Sequence, residues 1–256
     1  MRTIWILLQR ELRDTLRSPA LLASMISLPI TVVVVPLVLV VYLDRAAPEA
    51  TRAAIQQLYE LKAEDPTELL VEAVAFAWLP IFLLMPVFVP ILLSAQSVGG
   101  ERERKTLEPL LATPVSTTQI VLAKSLASVV PAVLLCWLSA AVFIGGLDWV
   151  AYRGNGSLPL PDLPWAVGVL VLGPLLSIFG NAVAVAISAR VRDPRAAQNL
   201  AAMTVMPVIG LGITQIAGGV RLGIGFYVVA TVVLVALDVG LVYLAAALFD
   251  RERLLR

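Results

Sequence analysis

Histidine is absent from the 256 residues, and cysteine occurs once, at Cys136. The first absence removes His-containing catalytic triads, zinc-protease motifs and haem ligation by His. The second removes any disulfide framework and any cysteine metal site. Charge is also scarce, at 14% of residues, and nearly balanced at a net +1, which argues against a nucleic-acid footprint. No Gly-x-x-x-x-Gly-Lys-Ser/Thr phosphate loop occurs, and Lys124-Ser125 lacks the preceding glycines. The chain is therefore expected to bind no ATP, metal or other cofactor itself and not to be an enzyme.

Apolar residues, by contrast, make up 59% of the chain, with a mean hydropathy of +0.91. Soluble domains hold roughly 45–50%. A bilayer must be the solvent for much of this surface. The excess of 16 Arg over 3 Lys points to a GC-rich prokaryotic source. Acidic Glu11 and Asp14 lie near the start, and the first apolar run is long, so a cleavable signal peptide is not expected.

Residues 1–17 read as an amphipathic interfacial helix. Trp5, Leu8, Leu12 and Leu16 recur at helical spacing, with Arg10, Glu11, Arg13, Asp14 and Arg17 among them. Ser18-Pro19 is an N-cap and first helical position. Six apolar runs follow, at about 20–43, 73–98, 120–146, 164–189, 199–219 and 224–248, each long enough for about 30 Å of hydrocarbon. Prolines 29, 36, 80, 86 and 90 inside them predict kinks. Glycines crowded between Gly210 and Gly225 predict a broken or re-entrant fifth element. Trp149, Tyr152 and Trp165 read as an interfacial aromatic belt. The acidic segment 44–72 reads either as a solvated lid or as a vestibule. The fold expected is an all-α, six-span membrane domain over 1–256.

Fourteen Lys and Arg lie in segments 1–19, 94–124, 190–198 and 249–256, against five in 44–72, 147–163 and 219–223. The positive-inside rule puts both termini in the cytoplasm, together with the segment 99–119. That segment is the densest patch of charge and turn chemistry in the chain. Gly99-Gly100 should end the second span. Thr106 can cap a short helix with Glu108 and Pro109 in its first turn, and Leu107, Leu110 and Leu111 form one apolar knob. Thr113-Pro114 breaks that helix, and Ser116-Thr117-Thr118-Gln119 is a capping box for the third span. The segment is either a plain connector or a docking surface, and the designed stops and knob favour docking.

Glu101-Arg-Glu-Arg-Lys-Thr-Leu-Glu-Pro-Leu-Leu-Ala-Thr-Pro-Val-Ser116, running into Gln119-Ile-Val-Leu-Ala-Lys124, resembles the cytoplasmic loop of ABC-2-type transporter permeases. Residues 4–14 are similar to that family's N-terminal elbow helix, and Arg190–Arg195 to its second cytoplasmic loop. The resemblance implies a transmembrane subunit of a prokaryotic ABC transporter, an exporter in the cytoplasmic (inner) membrane. It implies a separate cytoplasmic ATPase carrying ATP and Mg, docked on Glu101, Arg102, Glu103, Arg104, Thr106, Leu107, Glu108, Leu110, Leu111, Thr113 and Pro114. A second permease copy or a related permease would complete the unit in the lipid. Asp238, in the middle of the last span, marks an ion or substrate path or a sealed helix contact. A gradient-driven transporter or channel using Asp238 is the alternative. Asn181, Asn199 and Gln215 are further candidates to line a route, or bonds between helices.

Overall fold

The computed structural model describes residues 2–46, 49–59, 61, 65–103, 117–188, 190–191 and 193–248. Every regular element among them is helical, as hydrocarbon demands, because backbone groups there must bond within their own segment. Six helical stretches are long and apolar enough to cross a membrane: Pro19–Ala46, Pro66–Ser94, Gln119–Gly154, Leu163–Ser188, Arg195–Ile216 and Ile224–Leu241. The chain is an all-α, multi-pass membrane protein.

Helix α1 (Arg2–Arg17) stops at Ser18, and α2 (Pro19–Ala46), the first span, starts with proline at its first position. A short helix α3 (Glu49–Tyr59) precedes α4 (Pro66–Phe82), which is capped by Asp65 through the backbone N–H groups of Thr67 and Glu68 at 2.9 and 3.0 Å. Helix α5 (Leu84–Glu103) continues the second span after a break at Leu83. The third span is α6 (Thr117–Asn155). The fourth runs through α7 (Leu163–Val167), a π turn (Gly168–Leu172) and α8 (Gly173–Ser188). The fifth joins α9 (Pro194–Ala202) to α10 (Met206–Ile216) by a 3₁₀ turn at Met203–Val205, just ahead of Pro207. Helix α11 (Ile224–Leu248) is the sixth.

Three sequence expectations change. Gly99 and Gly100 do not end the helix of the second span, for both are helical and α5 runs on to Glu103. Glycine costs only about 1 kcal/mol in a helix interior, which does not stop a helix without a left-handed residue. Helix α6 runs past the apolar run at 120–146 and carries Asp148, Trp149, Tyr152 and Arg153 in its last turns. Trp165 belongs to no interfacial belt: it is 1% exposed. Its ring stacks on Phe143 at 5.1 Å and meets Phe82 edge-on at 5.2 Å. Trp149 and Tyr152, in contrast, are exposed.

The second span is the core of the bundle, with Leu70, Val71, Phe82, Val87 and Ile91 fully buried. The fourth span lies against it so closely that a Cβ at Gly180 would stand 2.5 Å from the carbonyl oxygen of Val87.

Prolines inside the spans leave carbonyls without a helical donor, and side chains of other spans meet three of the freed oxygens. Pro36 frees the oxygen of Val32, which accepts the Trp78 indole N–H at 3.0 Å. Pro80 frees that of Phe76, which accepts the Gln215 amide. In the π turn, Gly173 N–H bonds the carbonyl of Gly168. The next donor in that register would be Pro174, which has none, and the oxygen of Val169 accepts the Trp137 indole N–H at 3.1 Å.

At the α3 end of the bundle, Gly218 (φ 72°) closes the fifth span with backbone bonds from Gly218 to Gln215 and from Gly219 to Thr214. The Tyr59 hydroxyl donates to the remaining Ile216 carbonyl at 2.8 Å, and the Tyr59 ring packs edge-on against Phe76. Helix α3 thus closes over the ends of the second and fifth spans.

Candidate functional site

The segment singled out by the sequence begins where α5 ends and finishes where α6 begins. Glu101, Arg102 and Glu103 form the last turn of α5. Arg104, Thr106, Leu107, Glu108, Leu110, Leu111, Thr113 and Pro114 lie outside the described residues.

Helix α1 packs along the start of α6. Lys124, in the second turn of α6, reaches Glu11 of α1 with Nζ 3.0 Å from Oε1. The Lys124 side chain is only 9% exposed and that of Glu11 23%, so water screens this pair far less than a surface one. The cause is local. A lysine eight residues into an otherwise apolar helix must find an anion as it goes under, and α1 supplies it. Leu8, one turn before Glu11, is buried, while Trp5 and Leu16 face outward at 59% and 66% exposure. Arg10 and Asp14 pair on the outer side of α1 at 4.0 Å, both well exposed, and such pairs are worth little. Arg13 is exposed.

One turn deeper, Ser128 of α6 meets Ser94 of α5 and Asn181 of α8. Ser94 Oγ donates to Asn181 Oδ1 at 2.7 Å and lies 2.8 Å from Ser128 Oγ, which is 2.9 Å from Asn181 Oδ1. All three are buried. The segment's two anchoring helices are therefore joined to each other and to the fourth span, and the second is clamped to α1.

The four residues considered for a route differ in their surroundings. Asn181 is consumed by the serine pair, and Gln215, fully buried, bonds Phe76. Asn199 is exposed on α9. Asp238 is 6% exposed, and among the described residues neither of its oxygens has a hydrogen-bond partner. Among the described residues no group of three His, Cys, Asp or Glu could hold a metal ion.

Lys124, Ser94 and Ser128 escaped sequence reasoning as site residues. A lone cation early in an apolar helix was the available signal for Lys124. The serines carried none, because their partners lie 34 to 87 residues away.

Compared with known proteins, residues 5–222 match the family model described as "ABC-2 family transporter protein". No curated protein matches the chain.

Proposed function

The chain belongs to the ABC-2 family of transporter proteins, and from that membership we propose that it is the permease subunit of an exporter driven by a separate ATPase docked on residues 101–114. Family membership makes it a transmembrane subunit that associates with an ABC ATPase. In our reading the docking segment, α1 and both termini face the cytoplasm, α1 lies in the membrane interface, and two permease copies form the translocation unit. ATP and Mg belong to the partner.

One observation carries this reading. The helices entering and leaving the segment are locked together through Ser94, Ser128 and Asn181, and the leaving helix is locked to α1 through Glu11–Lys124. A connector between two spans needs no such bracing. A lever that turns ATPase closure into a tilt of several spans does.

The test is the pair of substitutions Leu107→Asp and Leu110→Asp. The wild-type chain is expected to co-purify with an ATPase from its native membrane, and the double variant to insert at the same level without it. Retention of the ATPase by the variant would overturn the docking proposal.

A further inference from the structure

We infer that Asp238 is the binding point for the positive charge of an amphiphilic cationic substrate, an inference that rests on the permease reading above. Helix α11 shows most of its surface to the outside: Val228, Val229, Val232, Val233 and Leu237 are exposed. A single stripe, Tyr227, Thr231, Leu234 and Asp238, recurs at helical spacing and turns inward. This stripe packs against the fourth span. Asp238 is the fifteenth of the 25 residues of α11.

A buried charge requires a partner, and among the described residues neither oxygen of Asp238 has one. Residues 163–188, the elements packed against α11, contain no Lys, Arg, Asp or Glu, and the chain has no His. Their polar side chains are Ser177, Asn181 and Ser188. Ser177 donates to the Gly173 carbonyl, and Asn181 is held by Ser94 and Ser128. Ser188, also buried, ends α8, where its hydroxyl has no hydrogen-bond partner among the described residues.

Within the six candidate spans the Lys and Arg residues are Arg45, Lys124, Arg153 and Arg195, all within two turns of a span end. Two partners fit a carboxyl so placed: a proton, and a cation arriving from outside the protein. The surroundings choose the kind of cation. Leu234 and Leu241 flank Asp238 on the same stripe, half-buried, so the ligand combines one positive charge with an apolar body. Binding is an exchange: the carboxylic acid gives its proton to water, and the carboxylate so formed holds the cation.

The experiment is equilibrium binding of tetraphenylphosphonium to the permease–ATPase complex in lipid nanodiscs, with tetraphenylborate as a control of equal shape and opposite charge. Wild-type protein should bind the cation saturably and more tightly from about pH 5 to about pH 8, as proton competition fades. D238N keeps the size and hydrogen-bonding capacity of the side chain. It should weaken cation binding by at least about tenfold and abolish its pH dependence, while D238E restores both and tetraphenylborate binding is unchanged. Equal affinity of wild type and D238N for the cation, or no saturable binding to wild type, overturns the inference. ATPase co-purification, scored on the same preparation, reports separately on the permease reading.

Discussion

The indole N–H of Trp78, in the second span, bonds the Val32 carbonyl of the first at 3.0 Å, and that oxygen is the one Pro36 leaves without a helical donor. Gln215 treats the oxygen freed by Pro80 in the same way. Intramembrane prolines are tolerated because neighbours satisfy what they release. Each such bond is also a point where a proline-containing span is pinned to another.

Trp78→Phe keeps most of the ring and removes the donor, and should destabilise the protein by about 1–3 kcal/mol by stranding a buried carbonyl. In a Pro36→Ala background the alanine N–H supplies a helical donor to Val32, and the same substitution should cost about 1 kcal/mol less or better. Unfolding titrations of the four proteins in SDS–detergent mixtures measure this. Equal costs in both backgrounds would show that the indole acts by packing alone.

Gly180 permits the close approach of the second and fourth spans. Gly180→Ala sets its methyl 2.5 Å from the Val87 backbone oxygen, whereas a Cβ at Gly210 meets nothing within 4 Å. Gly180→Ala should cost about 1–3 kcal/mol, the usual penalty of overpacking, and Gly210→Ala should be neutral or slightly stabilising. Thermal unfolding of purified protein by fluorescence-detected gel filtration separates the two.

Reversing either charge of the Glu11–Lys124 pair sets like charges together in a poorly hydrated place. Glu11→Lys and Lys124→Glu should each cost about 1–3 kcal/mol, less than a fully buried pair because Glu11 is partly wet. The double reversal should recover most of that loss and also restore ATP turnover by the complex. A double variant no better than the singles would mean that the pair is incidental to coupling.

Asp162 caps α7 through the Trp165 N–H at 2.9 Å, yet burial raises its carboxyl above the ordinary 3.8, outweighing that bond. A raised acid binds its proton more tightly in the folded state, so its contribution to stability is full below the unfolded value and is lost as pH rises through the folded one. Asp162→Asn keeps a capping side chain. It should flatten the fall in melting temperature as pH rises above 3.8 and leave the protein at least as stable at neutral pH. A steeper fall in the variant would contradict the assignment.

Fold class was legible because only a bilayer accommodates six such apolar runs, and the family because residues 101–124 are distinctive. The proline positions announced freed carbonyls, but not what meets them: Trp78 lies 46 residues from Val32 and Gln215 lies 139 from Phe76. Trp165 misled for a physical reason. A tryptophan beside a polar link looks interfacial, yet α6 extends to Asn155 and draws the fourth span over Phe143. Glu11 was recognisable as part of α1, while its role as the counter-ion of Lys124 required α1 to fold back across 113 residues.

Contact between the 101–114 segment and an ATPase is measured most directly by crosslinking from Leu110. A Leu110→Cys substitution in a Cys136→Ser background gives one reactive thiol, which carries a benzophenone label. Irradiation of native membranes should join the chain to a soluble polypeptide containing an ATP-binding phosphate loop, in a yield that changes on adding ATP. Crosslinks solely to lipid or to other copies of the chain would contradict the coupling of this permease to an ATPase at that segment.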